Sequence, residues 1–207
     1  MPADTAAEEA VPFRQIRAAH TATTITVYQA YSPAIAEPVV AAGRFVAPFK
    51  RDRMTWIKPS LLWMAYRSGW ATKTDQGRVL AVEITRDGFE WALAHSSLSH
   101  YEPGTYPDRD AWNAAKAASP VRIQWDPERS LALTPLDHRA IQIGLSAEAV
   151  DRYVEDWTVA ITDATPLVHE LHALVGARQL DAARQLLPDE QPYPLDPDLA
   201  AAIGATT

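Results

Sequence analysis

Thr23–Phe45 reads TTITVYQAYSPAIAEPVVAAGRF, and the order of residue types in it decides the fold class. Thr23 to Tyr31 is rich in β-branched and aromatic side chains, which suit a pleated, half-buried surface, so it predicts a strand. Ser32-Pro33 follows at once. Ser is a good acceptor for the free N–H groups at a helix start, and Pro is tolerated at the first helical position because its missing N–H would have had no partner there. Ala34 to Ala42 then reads as a helix, with Gly43 as the residue that ends it. Pro38 predicts a kink inside that helix.

Outward from this unit the same alternation continues. Phe13 to Ala18 reads as a short strand. Arg44 to Lys58 is loop-like, and Pro59-Ser60 opens a helix over Leu61 to Arg67 that Gly69 ends. Val79 to Thr85 is a buried strand, and Asp87 caps a helix over Gly88 to Ser97. His100 to Arg109 is a loop, Asp110 to Ser119 a helix, Val121 to Trp125 a strand and Asp126-Pro127-Glu128-Arg129 a turn. After a short apolar piece, Leu131 to Leu136, another strand spans Arg139 to Leu145. Ser146 caps a long helix to Thr162, Thr165-Pro166 opens a helix to Gly176, and Arg178 to Leu187 forms the last one. The sum is an α+β fold of five or six strands with interspersed helices and a helical C-terminal third. Residues 1–12 read as a disordered N-terminus, 13–187 as a single domain, and 188–207 as an irregular Pro-rich tail.

Composition narrows the classes. The chain has 207 residues, 47% of them hydrophobic, enough to bury a sizeable core. No apolar run approaches the roughly 20 residues of a membrane span. The first ten residues have neither the basic nor the apolar region of a secretion signal, and a cytoplasmic location is expected. Cysteine is absent, which removes disulfides, Cys-zinc sites and thiol nucleophiles. Only eight glycines occur, with neither GxGxxG nor GxxxxGK among them, so ordinary Rossmann and P-loop readings are out.

Charge is strongly segregated. Arg44 to Arg78 holds eight Lys or Arg against two acids, in a chain whose net charge is −7. The core of this segment, Arg53-Met-Thr-Trp-Ile-Lys-Pro-Ser-Leu-Leu-Trp-Met-Ala-Tyr-Arg-Ser-Gly-Trp70, mixes Trp with cations. Aromatic rings can stack on a base while guanidinium and ammonium groups meet phosphates, so an anionic partner is expected, a nucleic acid or a nucleotide. The plain alternative is a solvated basic face over core tryptophans.

The run from Thr23 to Tyr31, Arg53-Met-Thr-Trp-Ile-Lys-Pro-Ser60, Trp63-Met64, Tyr66-Arg67-Ser68-Gly69-Trp70, Gln124-Trp125-Asp126-Pro127-Glu128-Arg129 and Arg139-Ala-Ile-Gln-Ile-Gly-Leu145 resembles domain-of-unknown-function family four-two-nine-one over about Arg14 to Gly176. That resemblance implies membership rather than an activity. A second resemblance bears on activity. Val27-Tyr28-Gln29-Ala30-Tyr31-Ser32-Pro33, with Ala36, Val39-Val40, Gly43 and Phe45, looks like the opening of ADP-ribosyltransferase-like domains. These hold NAD in a cleft between two split small sheets and end on a Glu or Gln-x-Glu beside a strand. The resemblance implies NAD as substrate, Gln29 as a contact at a position where many members have His, and Glu128, then Asp126, as the catalytic carboxylate, with Gln124 completing the Gln124-x-Asp126 pattern. Read without it, Glu128 is a turn residue paired with Arg129.

In that chemistry the nicotinamide–ribose bond breaks through an oxocarbenium-like transition state, which a carboxylate stabilises. Arg17, Arg53, Lys58, Arg67 and Lys73 are the candidates for phosphates, and Tyr28, Tyr31, Trp56 and Trp70 for stacking. Trp63 shares a helix with Leu62 and Met64 and reads as core. Gln29 and Gln142 lie in apolar strands and each needs a partner if buried. His169 and His172 sit three apart on one helix face, but a third ligand is missing, so no metal is expected. Two function classes remain: an ADP-ribosyltransferase-like enzyme with a nucleic acid, nucleotide or protein acceptor, and a non-catalytic module that binds RNA or another anionic ligand through residues 44–78.

Overall fold

The computed structural model describes residues 11–206; the disorder expected for residues 1–10 lies outside the described residues. The fold is α+β. One sheet has three antiparallel strands in the order β2 (Thr24–Tyr31), β4 (Arg78–Thr85), β8 (Thr158–Asp163). A second has four, in the order β3 (Thr55–Ile57), β7 (Pro135–Leu145), β6 (Val121–Arg129), β5 (Ser96–Leu98), with only β5–β6 parallel. A two-residue pair, β1 (Arg17–Ala18) with β9 (Gln191–Pro192), ties the two ends of the chain together.

The three-stranded sheet separates two apolar clusters. Ile25 and Val27 of β2 and Leu80, Val82 and Ile84 of β4 face the larger one, where Ile57, Ile123, Ile141, Ile143, Leu145, Phe89 and Leu93 meet them. Tyr28 and Val79 face the smaller one, built by Leu61, Met64, Ala65, Trp70, Val168 and Leu171. The first half of β2 alternates buried and half-buried residues, whereas Val27 to Gln29 of β2 and Val79 to Leu80 of β4 are buried in succession because both faces of the sheet are covered there.

The helices start and stop where local chemistry allows. Helix α1 (Pro33–Ala42) begins after Ser32 and ends on Gly43, whose φ of 62° is the left-handed conformation that costs glycine nothing. Helix α2 (Leu61–Ser68) is capped by Ser60, whose Oγ accepts from the Trp63 N–H at 3.1 Å. Helix α3 (Arg86–Ala94) is capped by Thr85 rather than by the expected Asp87. Helix α4 (Arg109–Ala118) begins from Asp108, and α6 (Thr165–Gly176) and α7 (Leu180–Leu186) close over the smaller cluster.

Several expectations are corrected. The strand at 13–18 is confined to Arg17–Ala18, and the loop at 44–58 contains β3. Residues 96–98 are strand β5, not the end of a helix. Asp126–Arg129 is not a turn: β6 continues through it, with a bulge between Pro127 and Arg129 that accommodates a proline with no N–H to give the ladder. The reversal comes at Ser130–Thr134 instead. The long helix expected from Ser146 breaks into a short helix α5 (Glu148–Arg152), a single π turn (Tyr153–Trp157) and strand β8. The open edge of β4 accepts the β-branched run Thr158 to Thr162, which pairing rewards more than helix formation. The C-terminal third is therefore helical only in part. Residues 188–206 are not wholly irregular either: they supply β9, the buried Tyr193 and helix α8 (Pro197–Ala202).

Gly88, in the first turn of α3, lies against the indole of Trp157, and a Cβ there would lie 2.3 Å from the ring. Alanine is the better helix former by about 1 kcal/mol. Gly88→Ala is nevertheless expected to destabilise the protein by about 1–3 kcal/mol, the cost of overpacking a tight core, in urea unfolding followed by tryptophan fluorescence. A stabilised Gly88→Ala protein would contradict this packing.

Candidate functional site

The two larger sheets are joined at Tyr28 and Lys58, which exchange both backbone hydrogen bonds: Tyr28 N–H donates to Lys58 O at 2.7 Å and Lys58 N–H to Tyr28 O at 3.2 Å. Beside this joint opens a cleft of about 580 Å³. One wall is the end of β2 and the start of α1, from Gln29 to Ser32 and Ile35. The other is Arg53 to Trp56 with Lys58. Met64 and Arg67 of α2, Asp75, Gln76 and Gln142 of β7 complete it. Two guanidinium groups and the Lys58 amine thus face one acid.

Side-chain bonds lock the inner wall. The Gln29 amide donates to Thr55 Oγ1 at 2.8 Å and to the Trp56 carbonyl at 3.1 Å, and its oxygen accepts from the Tyr153 hydroxyl at 2.7 Å. Tyr31 shares a hydrogen bond with Thr55 at 3.0 Å. Gln29 is only 2% exposed, so these bonds supply the partners that a buried amide requires. Gly144 lies opposite Trp56 in the β3–β7 register, and a Cβ there would come within 2.9 Å of the indole; its bare backbone lets Trp56 lie against the sheet. One face of the four-stranded sheet carries Gln124 and Asp126 on β6 and Gln142 on β7. The Gln142 amide donates to one carboxylate oxygen of Asp126 and the Gln124 amide to the other, at 3.2 Å.

The model for Domain of unknown function (DUF4291) matches residues 15–193. The chain belongs to that family. The span that defines this family member includes every residue lining the cleft and extends past Glu190. No curated protein matches the chain. Among the described residues no helix is long and apolar enough to cross a membrane.

Of the residues singled out in the sequence, Gln29, Tyr31, Arg53, Trp56, Lys58 and Arg67 line the cleft. Asp126 and Gln124 reach it through Gln142. The others lie elsewhere. Tyr28 is 3% exposed in the smaller apolar cluster. Trp70 is buried and stacked on His172, with ring centroids 5.1 Å apart. Lys73 Nζ donates to the Arg67 carbonyl at 2.8 Å, neutralising the end of α2. Arg17 donates to the Glu190 carbonyl at 3.1 Å. Glu128 faces a second cavity, of about 290 Å³, on the far side of Ser60, and shares it with Arg17, His138 and Glu190.

Burial shifts the charges on both sides of Ser60. Lys58 is 4% exposed, and loss of water, reinforced by the Arg67 guanidinium, lowers its pKa to about 7; the Asp126 charge acts in the opposite sense. In the second cavity Glu128 accepts from Ser60 Oγ at 2.9 Å and from the Arg129 N–H at 2.6 Å, while Glu190 accepts from the Leu61 N–H at 2.8 Å. Desolvation raises Glu128 above the usual carboxylate range despite these bonds. Desolvation, with the Glu128 charge added, pushes Glu190 up to about 8.

Sequence reasoning missed Thr55, Tyr153 and Glu190. Thr55 lies in a stretch whose pattern is that of a loop, Tyr153 in one whose pattern is that of a helix, and Glu190 in a tail whose composition carries no sign of a site. Gln142 was visible as a lone amide in an apolar strand.

A raised folded-state pKa means that the stability contributed by the neutral Glu190 is complete below about 4.5 and is lost as pH rises through about 8. Glu190→Gln keeps an acceptor for the Leu61 N–H but cannot ionise. Between pH 5 and pH 8 the wild-type melting temperature should therefore fall further than that of Glu190→Gln, by at least about 2 °C. Parallel curves in differential scanning calorimetry would contradict a neutral Glu190.

Proposed function

We propose that the cleft binds a nucleotide, with NAD as the expected ligand, and that the protein acts as an ADP-ribosyltransferase-like enzyme on a nucleic acid, nucleotide or protein acceptor. The observation that carries this reading is the lining of the cleft: Arg53, Lys58 and Arg67 beside Tyr31 and Trp56, against the single acid Asp75. Guanidinium groups bind phosphate bidentately, and aromatic faces accept a base or a nicotinamide ring. The size, about 580 Å³, falls within the range of small-ligand sites. The strand with Gln29, the Ser32-Pro33 turn and α1 form one wall, which agrees with the resemblance in that segment.

In this reading the ribose C1–nitrogen bond breaks, nicotinamide leaves with the bonding electrons, and the acceptor attacks the resulting oxocarbenium-like carbon. Asp126 is the carboxylate suited to stabilise that charge, because Gln142 links it to the cleft. Glu128, the first choice from sequence, faces the second cavity and serves α2 through Ser60.

The alternative, RNA binding along residues 44–78, is weakened by the pairing of its cations. Arg51 is engaged by Asp151 and Glu155 and Arg78 by Glu37 and Asp163, Lys73 closes α2, and Lys58 is buried. Half of the eight cations are thereby withdrawn from a common surface.

Calorimetry with NAD and ADP-ribose, together with chromatography of released nicotinamide, tests the proposal. Arg53→Ala and Arg67→Ala should each weaken NAD binding about tenfold or more, the loss of one charge-assisted contact. Asp126→Asn should abolish nicotinamide release while binding persists, and Glu128→Gln should leave both intact. Absence of binding at millimolar NAD and ADP-ribose would overturn the nucleotide reading. Binding without nicotinamide release would reduce the protein to a binding module.

A further inference from the structure

Lys58 is unusual among buried cations because, among the described residues, no hydrogen bond or ion pair holds its charge. Its backbone is fixed by the exchange of hydrogen bonds with Tyr28, and Pro59 follows, so the root of the side chain is rigid. The side chain is 4% exposed and lines the 580 Å³ cleft. It lies over the face of Trp63, 5.1 Å from Nζ to the ring centroid. A buried lysine that serves structure is normally paired, and an apolar side chain would fill the same space at lower cost.

The charged groups around it come from each surrounding element. Arg67 of α2 disfavours its ammonium form. Asp126 of β6 favours it, but both carboxylate oxygens are already taken by Gln124 and Gln142. Arg53 and Asp75 line the same cleft, and the Tyr31 phenol is engaged with Thr55. A desolvated amine next to another cation is the environment that frees a lysine lone pair for attack on carbonyl carbon. Arg53 and Arg67 stand ready for the anionic part of a ligand whose reactive end meets Lys58.

We propose that the Lys58 ε-amine is a nucleophile that forms an imine with a phosphate-bearing aldehyde held in the cleft. The amine nitrogen adds to the carbonyl carbon, the carbonyl oxygen leaves as water with the two protons from nitrogen, and a C=N bond remains; no oxidant or reductant takes part. The open chain of a sugar phosphate and the terminal ribose of ADP-ribose both present this chemistry. The inference rests on the cleft and not on NAD as its ligand.

The chain has four lysines, Lys50, Lys58, Lys73 and Lys116, which makes the test direct. The full-length protein is incubated with pyridoxal 5′-phosphate, ribose 5-phosphate or ADP-ribose, each with cyanoborohydride to fix any imine, and adducts are located by peptide mass mapping. At pH 7 about half of Lys58 is neutral, against less than about one part in a thousand of an ordinary lysine, so Lys58 should label at least about tenfold faster than the other three. Labelling by pyridoxal phosphate should rise to half its plateau near pH 7, should exceed labelling by phosphate-free pyridoxal, and should be lost in Lys58→Met and Lys58→Arg. A ribose 5-phosphate adduct identifies a sugar phosphate as the source, and an adduct with ADP-ribose alone identifies a nucleotide sugar. Equal labelling of all four lysines in the wild-type protein, or no adduct with any of the three aldehydes, overturns the proposal without reference to either variant. Nicotinamide release and NAD calorimetry are read separately, so loss of the nucleotide reading leaves this result standing, and the reverse holds too.

Discussion

The pair of backbone hydrogen bonds between Tyr28 and Lys58 is the constraint on which the arrangement depends. It is the joint between a three-stranded and a four-stranded sheet, each too small to bury its faces alone. Because β2 and β3 meet there, Gln29 can bond Thr55 and the Trp56 carbonyl, and Tyr153 can close the network from behind. The cleft lies beside the joint, and its inner wall is rigid because every polar group of Gln29 is satisfied within the protein.

The joint also divides two environments over a very short stretch of chain. Lys58 opens onto the cleft, and Ser60, two residues on, belongs to the second cavity with Glu128 and Glu190. Removal of water acts on both sides but in opposite directions. It disfavours the ammonium of Lys58 and the carboxylates of Glu128 and Glu190, so each group moves toward its neutral form. Near neutral pH Lys58 and Glu190 therefore carry less charge than their residue types suggest, which lowers the cost of burying them.

The second cavity connects the end of the chain to its middle. Glu190 supplies an acceptor to the first N–H of α2, while β9 pairs with β1 and Tyr193 packs into the larger apolar cluster. Helix α2 contributes Met64 and Arg67 to the cleft. Residues 188–193 thereby brace, from a distance in sequence of more than a hundred residues, the element that carries one of the cleft cations.

By itself the sequence determined the α+β class, the strand at β2 with its turn into α1, the Ser60 and Thr165-Pro166 helix starts, the family, and the concentration of cations and aromatics in the segment that lines the cleft. These follow from signals local to the chain: β-branched runs, Ser60 as an N-cap, Pro at a helix start, a Gly that ends a helix, and charge density. Tertiary structure decided the rest. Strand β3 is three residues long and β8 forms where the sequence carries a helix pattern; both depend on partners, β7 and β4, supplied by distant segments. The bulge at Pro127 and Arg129 carried β6 past the expected turn and set Glu128 toward the second cavity and Asp126 toward Gln142. Which cations remain available was likewise settled by remote carboxylates and helix ends. Sheet register and long-range pairing fix the direction in which a side chain points, and a one-residue shift reverses it, so no local pattern could assign the carboxylates to one cavity or the other.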